Sequence, residues 1–313
     1  MSHAGGLLNL GGTCYLNSIL QLIRASGVLT QSTFKDDSPL AHNLHSVCEA
    51  LNSGKNVAPR ELLHLMQTRA GPQFQLRQPN DLHEFYVTLI DWLTTNTMEP
   101  IAPPSLRTIA TRSAWTSCLK GNGSILTPSF YGMMRKTVRC EKCDACYVNF
   151  ETFSALSIDL INGDDNGTVS LNTLLAATFA DHNLNADGGT WKCDQCGVVG
   201  EPAIASTVIE RAPDIFTFAF NRYAGTHCKL GVTFPKTFAI QIKQHTKQYT
   251  CAGAAMHIGG ATGGHCFAST PRSGDDRWAI YDDDVVKDIA VPPSGNPAVH
   301  ILMYTRSNIK TNM

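Results

Sequence analysis

The chain reads as an α+β protein, on three observations. Helical apolar periodicity fills its first third, strand-like segments fill the remainder, and hydrophobic content of 43% against 16% charged describes a globular chain rather than a disordered one. With 313 residues it is long enough to bury a substantial core. The formal net charge of −1 lacks the basic excess of a nucleic-acid binder. No apolar run approaches the roughly 18 residues that cross a membrane. The opening Met1-Ser2-His3-Ala4 has neither a basic start nor a long apolar run, so no signal peptide is expected.

Four helices are predicted in order. Thr13 is expected to cap a helix from Cys14 to about Ala25, with Leu16, Ile19, Leu20 and Ile23 on its apolar face and Ser26-Gly27 at its end. Ser38-Pro39 opens a second, with Leu40, Leu44, Val47 and Leu51. Pro59 opens a third, with Leu62, Leu63, Leu65 and Met66, stopped by Gly71-Pro72. Pro79 opens a fourth, with Leu82, Phe85, Tyr86, Leu89, Ile90 and Leu93. Residues 100–128 receive no assignment. Strands are predicted at Tyr131–Arg139, Phe153–Leu160, Thr207–Ile209, Ile215–Phe220, Tyr249–Ile258, Cys266–Ser269, Trp278–Tyr281 and His300–Thr305, each rich in β-branched, aromatic or alternating residues.

The chemistry-bearing residues fall into three groups. Cys14 follows Gly11-Gly12-Thr13 and starts a helix, where unpaired N–H groups and the helix dipole favour a thiolate and can hold an oxyanion. Taken alone, it reads more readily as a small buried hydrophobe, and the nucleophile reading depends on a histidine partner distant in the chain. His265 follows a six-residue loop containing four glycines, and the strand after it runs into Asp282-Asp283-Asp284. A hairpin there would return an aspartate beside the histidine and complete a nucleophile–base–orienter set. His257, in the preceding strand, is the competing histidine. The third group is Cys140-x-x-Cys143 and Cys193-x-x-Cys196, whose four thiolates suit a closed tetrahedral zinc site. The alternative is unliganded cysteines. The odd total of 11 cysteines and the Cys-x-x-Cys pairing favour a reducing compartment, cytosol or nucleus.

In this order the motifs resemble the ubiquitin-specific proteases. Gly6–Gln21 is similar to their cysteine box, Gln78–Phe85 to a helix start after it, Pro213 through Asn221-Arg222-Tyr223 to a strand with Phe234-Pro235 as the short element after it, Tyr249–Thr270 with Trp278–Val285 to their histidine box, and Ile301–Tyr304 to their last strand. The likeness runs from about residue 5 to 306. It implies a papain-like fold with a helical thumb (5–128), fingers bearing zinc knuckles (129–220) and an antiparallel palm (221–308), in one catalytic domain over 1–308 with a polar tail at 309–313. It implies thiol hydrolysis after the C-terminal glycine of ubiquitin: Cys14 as nucleophile, His265 as base, Asp282 as orienting acid with Asp283 assisting, and Asn9 holding the oxyanion. Asp81 and Gly264 would meet the substrate tail, and Cys140, Cys143, Cys193 and Cys196 would hold structural zinc. The 49-residue gap between the knuckles, long for a small zinc ribbon, matches the fingers. No organic cofactor is implied. The expected partners are ubiquitin and ubiquitinated proteins, with no nucleic acid or membrane, for a monomeric chain. Cys266 departs from the family, whose histidine is commonly followed by an aromatic residue. Two alternatives stay open: a ubiquitin-binding pseudoenzyme, and a protease for another modifier ending in Gly-Gly.

Overall fold

The computed structural model describes residues 4–29, 38–70, 73–78, 80–95, 106, 108–161, 163–164, 167–223, 228–260, 263–272 and 277–307. Four helices open the chain: α1 (Cys14–Ser26), α2 (Pro39–Asn52), α3 (Arg60–Ala70) and α4 (Leu82–Thr94). Local chemistry places their ends. Gly27, in the left-handed region at φ 64°, closes α1 by donating to Arg24 O. The Ser38 hydroxyl accepts from Ala41 N at the start of α2. The predicted stop at Gly71-Pro72 and the predicted start at Pro79 lie outside the described residues. Within them, α4 begins at Leu82, because the Asp81 carboxylate accepts from both His83 N and Glu84 N.

The helix α1 is more deeply placed than its amphipathic pattern suggests. Leu16, Ile19, Leu20, Leu22 and Ile23 are all fully buried, and so are Asn17, Ser18 and Gln21 on the polar side. Those polar groups are hydrogen-bonded: Ser18 Oγ to Cys14 O at 2.8 Å and Gln21 Nε2 to Gly5 O at 2.9 Å. Burying each of its large aliphatic side chains contributes about 1.5–3 kcal/mol. This anchors the helix, and so Cys14, between the other helices and the main sheet.

Two short helices follow, α5 (Ile109–Cys118) and α6 (Thr127–Phe130). Only Thr111 and Trp115 of α5 are buried, too few to leave a readable period in residues 100–128. Then come β1 (Gly132–Cys140), β2 (Cys146–Phe153), β3 (Leu156–Asp159), β4 (Thr168–Ser170), α7 (Leu171–Thr178), β5 (His182–Asn183), β6 (Ala203–Arg211) and β7 (Ile215–Asn221). The chain continues through β8 (Gly231–Thr233), β9 (Thr237–Ile242), β10 (His245–Gly260), β11 (Gly263–Pro271), β12 (Trp278–Asp282), β13 (Val285–Ile289) and β14 (Val299–Arg306). The single strand expected over Phe153–Leu160 is two elements. β2 lies on the edge of a ribbon, partly exposed on both faces and buried only at Phe153, so it carries no alternation to read.

Strands β2-β1-β6-β5 form one sheet. The main sheet runs β13-β12-β11-β10-β14-β7-β3, with β9 pairing the start of β10. All its pairings are antiparallel except β3 with β7. A small parallel pair joins β4 and β8. One core lies between the helices and a face of the main sheet (Leu16, Leu20, Phe85, Ala255, Ala268, Ile301), and a second covers the opposite face (Phe216, Phe218, Tyr249, Met256, Leu302, Tyr304). Gly253 allows β10 to pass close to its neighbour, since a Cβ there would sit 2.7 Å from Ser269 O. No described helix is long and apolar enough to cross a membrane.

Candidate active site

Cys14 is the first residue of α1 and is 9% exposed. The loop before it is held by its own side chains. Asn9 Oδ1 accepts from Gly11 N at 2.9 Å and Thr13 N at 3.2 Å, and Thr13 Oγ1 accepts from Leu10 N at 2.9 Å. The expected Thr13 cap is therefore not made: its hydroxyl is engaged by Leu10 N, and the first N–H groups of α1 receive no side-chain cap from it. Gly11 and Gly12 take φ values of 110° and 76°, which favour glycine.

The histidine and its acid come from neighbouring strands. β10 and β11 form a hairpin that pairs Ile258 with His265 and Gly259 with Gly264. β11 then pairs with β12 up to Ala268 opposite Tyr281, which leaves Asp282 as the next residue. His265 Nε2 lies 2.5 Å from Asp282 Oδ1. With Nε2 engaged there, Nδ1 is the ring nitrogen available to Cys14. Asp283 does something different. In a tight turn at φ 54°, its Oδ2 accepts from Asn9 Nδ2 at 2.8 Å and its Oδ1 from Asn17 Nδ2 at 2.7 Å. The turn is clasped by the N-terminal segment: Leu7 N donates to Asp283 O at 2.8 Å, and Gly6 packs so closely on Asp284 that a Cβ would lie 2.6 Å from its backbone. Asn17 was not singled out from the sequence. A polar residue one turn after Cys14 reads as solvated until its burial is known.

Electrostatics favour a thiolate. The Cys266 thiol, its backbone N–H and the His265 charge lower the Cys14 pKa, against burial and Asp283, to about 6. Burial pulls His265 down, but its hydrogen bond to Asp282 and the charges of Asp282, Cys14 and Asp283 outweigh it and raise the imidazole above its ordinary value. The thiolate is thus present above about pH 6 and is lost as pH falls through that value. Alkylation of Cys14 by iodoacetamide, followed by peptide mass against pH, is expected to show a midpoint near 6. A midpoint at about 8.5, the free-thiol value, would contradict the activation.

A cleft of about 770 Å³ leads to Cys14, lined by Gly11, Gly12, Gly260, Gly263 and Gly264 together with Arg77, Asp81, Tyr223, His257, Cys266 and His300. Gly264 cannot carry a side chain, since a Cβ would lie 2.4 Å from both His257 Nε2 and Ile258 O. Asp81 stands at the cleft with Oδ2 3.6 Å from His300 Nε2. Burial raises the Asp81 pKa, but the His300 contact and the Glu84 and His83 N–H groups hold it near 2. His257 Nδ1 is 2.7 Å from the Tyr223 hydroxyl, so the competing histidine is committed to the cleft wall.

The four knuckle cysteines come together at the end of the four-stranded sheet, all sulfurs within 4.8 Å of one another. Cys140 and Cys196 are 3.9 Å apart, and Cys143 and Cys193 are 3.7 Å apart. Tetrahedral zinc with Zn–S bonds of about 2.3 Å sets adjacent sulfurs about 3.8 Å apart, so the donor set fits a metal. Both loops turn through left-handed residues, Asp144 at φ 57° and Gly197 at φ 71°. Cys146 is exposed and outside this group.

A thiol on a helix N-terminus, faced by an imidazole held on a carboxylate from an antiparallel sheet, is the layout of papain-like cysteine hydrolases. Residues 5–304 match the ubiquitin carboxyl-terminal hydrolase family, and the chain belongs to it. It is 22% identical over its full length to probable ubiquitin carboxyl-terminal hydrolase 16 of Schizosaccharomyces pombe, covering 69% of that protein. It is 24% identical over 96% of its length to ubiquitin carboxyl-terminal hydrolase 23 of Arabidopsis thaliana, covering 35% of that one. The fold is shared with the SAGA DUB module Ubp8/Sgf11/Sus1/Sgf73 bound to monoubiquitin, with a TM-score of 0.72 at 20% identity, covering 97% of this chain and 69% of the other.

Proposed function

We propose that this chain is a thiol-dependent deubiquitinase that hydrolyses the bond after the C-terminal glycine of ubiquitin. The observation that carries the reading is Cys14 at the N-terminus of α1 in a glycine-lined cleft, beside a His265 whose Nε2 is 2.5 Å from Asp282. The Cys14 thiolate attacks the Gly–Lys isopeptide carbonyl. The Asn9 amide and the Cys14 N–H stabilise the oxyanion. His265 gives its proton to the departing lysine amine, then takes one from the water that clears the thioester. Asp282 orients and stabilises the imidazolium. Asp283 is a positioning residue, holding Asn9 and Asn17 so that the oxyanion loop and α1 keep their relative place.

Glycines at the cleft leave room for an extended Gly-Gly tail and exclude bulkier residues. Asp81, kept ionised, suits a tail arginine through charge-assisted bonds. Structural zinc on Cys140, Cys143, Cys193 and Cys196 would tie the outer ends of β1 and β6 and take no part in the chemistry. In domain terms, residues 5–128 serve as thumb, 129–220 mainly as fingers and 221–308 mainly as palm. β3 and β7 nevertheless lie in the main sheet with β10–β14.

The test is reaction with ubiquitin bearing a C-terminal electrophile, read by intact mass, beside the same probe built on other modifiers ending in Gly-Gly. One ubiquitin adduct per chain, mapped to Cys14, is expected. An adduct with another modifier alone would keep the chemistry and change the substrate. No adduct on folded, zinc-loaded protein would mean a binding module instead.

A further inference from the structure

Cys266 is a second thiol at the reactive cysteine, and the function above makes no use of it. It follows His265 on β11, where it and Ala268 alternate onto the sheet face turned toward α1. It is 4% exposed and buried in the same core as Cys14. Both cysteines line the cleft that leads to Cys14. The two thiols share this cleft and core and act on each other in opposite senses: Cys266 lowers the Cys14 pKa, and Cys14, with burial, raises that of Cys266 far above the ordinary thiol value.

We propose that Cys266 is a resolving thiol for Cys14: a peroxide entering the cleft oxidises Cys14, and Cys266 captures the product as an intramolecular Cys14–Cys266 disulfide that dithiols reverse. The first step forms a sulfur–oxygen bond from the Cys14 thiolate and breaks the peroxide O–O bond, with hydroxide leaving and taking a proton from His265 to become water. In the second step the Cys266 sulfur attacks the Cys14 sulfenic acid. An S–S bond forms, the S–O bond breaks, and the departing hydroxide leaves as water with the Cys266 proton. Two thiols are oxidised, and one peroxide is reduced to two waters.

The pair is ordered for this sequence. In the resting site the Cys14 thiolate carries the charge, so Cys14 reacts first and Cys266 stays protonated. Once Cys14 is a neutral sulfenic acid, its hydrogen-bond and charge effects on Cys266 disappear, and Cys266 becomes easier to deprotonate and to use as a nucleophile. Without a resolving partner, a sulfenic acid continues to the sulfinic acid, which reductants do not reverse. The site would therefore be switched off by peroxide yet protected from permanent loss.

The experiment treats the zinc-loaded full chain with hydrogen peroxide, then digests it without reduction. In parallel it measures the activity recovered with dithiothreitol, as a fraction of each protein's own untreated activity. The expected result is a cross-linked peptide pair whose fragment spectra place the link between Cys14 and Cys266, with most activity recovered. Cys266→Ala and Cys266→Ser should lack the link, carry Cys14 about 32 Da heavier as the sulfinic acid, and recover at least about fivefold less activity. A wild-type Cys14 that forms no link, or that over-oxidises as fast as in the variants, overturns the proposal. If both variants fail to fold, the presence or absence of the wild-type cross-link decides alone. This inference rests on Cys14 being the reactive thiolate, which the ubiquitin probe tests separately before peroxide is added. The cross-link is read without reference to any substrate.

Discussion

Replacing Cys14 by alanine is expected to lower kcat/KM on a ubiquitin C-terminal amide by at least about 10⁴-fold, a loss of more than about 5 kcal/mol of transition-state stabilisation. No other described thiol can take its place. Cys266 sits beside it but is 4% exposed, and its proton is held tightly by burial and by Cys14 itself. Ubiquitin affinity, measured by calorimetry, should stay within about threefold, because the substitution removes one small, 9% exposed side chain and leaves the glycine-lined cleft and Asp81 intact. Together, the two readouts separate chemistry from recognition. Retained turnover would remove Cys14 from the mechanism, and lost binding would show that the variant had disturbed α1. Asp282→Asn should come next in severity, since Asp282 sets the imidazole's orientation and charge. Asp283→Asn should act through the oxyanion loop instead.

Replacing Cys193 by serine is expected to abolish stoichiometric zinc, measured by mass spectrometry of the metal. It should also lower the Tm and unprotect the outer halves of β1 and β6 in hydrogen exchange. Structural zinc contributes about 10–16 kcal/mol of apparent binding free energy in small zinc-finger peptides, and the knuckle region is otherwise held by local ties such as the Tyr147–Trp191 ring contact and the Asn185 hydrogen bonds to Trp191. The two large cores reach β2 only at Phe153, its inner end, and none of its other residues is buried. Cys193 is the informative ligand, because it is fully buried and its sulfur also lies 3.4 Å from the Tyr147 hydroxyl. β1 runs nine residues from Gly132 to Cys140, so the knuckles stand about 27 Å from its inner end. The intrinsic reactivity of Cys14 toward iodoacetamide should therefore be unchanged in this variant, while hydrolysis of folded ubiquitin conjugates falls. Wild-type protein that binds no zinc, or a variant with unaltered Tm, would contradict a structural metal here.

Much of this site was legible in the sequence because its signals are local. Ser38 and Gly27 act on N–H and C=O groups within a few residues, so such caps and turns declare themselves in the chain. The same holds for a cysteine at a helix start and for paired Cys-x-x-Cys knuckles, where loop geometry depends on the intervening residues alone. Buried strands such as β7 and β14 carry apolar runs that name them. In the outer ribbon β1 was read and β6 only in part, while β2, and α5 with its two buried side chains, were lost, because periodicity records burial and these elements have little.

Tertiary structure decided the rest, and in each case the deciding contact joins residues far apart in the chain. Two adjacent aspartates cannot be told apart by sequence. The β11–β12 register presents Asp282 to His265 and turns Asp283 back toward Asn9 and Asn17, 274 and 266 positions away. Asn17 and Gln21 look like a helix's wet side until the N-terminal segment covers them. Cys266 is a single altered residue after a histidine in the sequence. It becomes a partner for Cys14 because a strand's alternation points it at α1, whose first residue is a thiol.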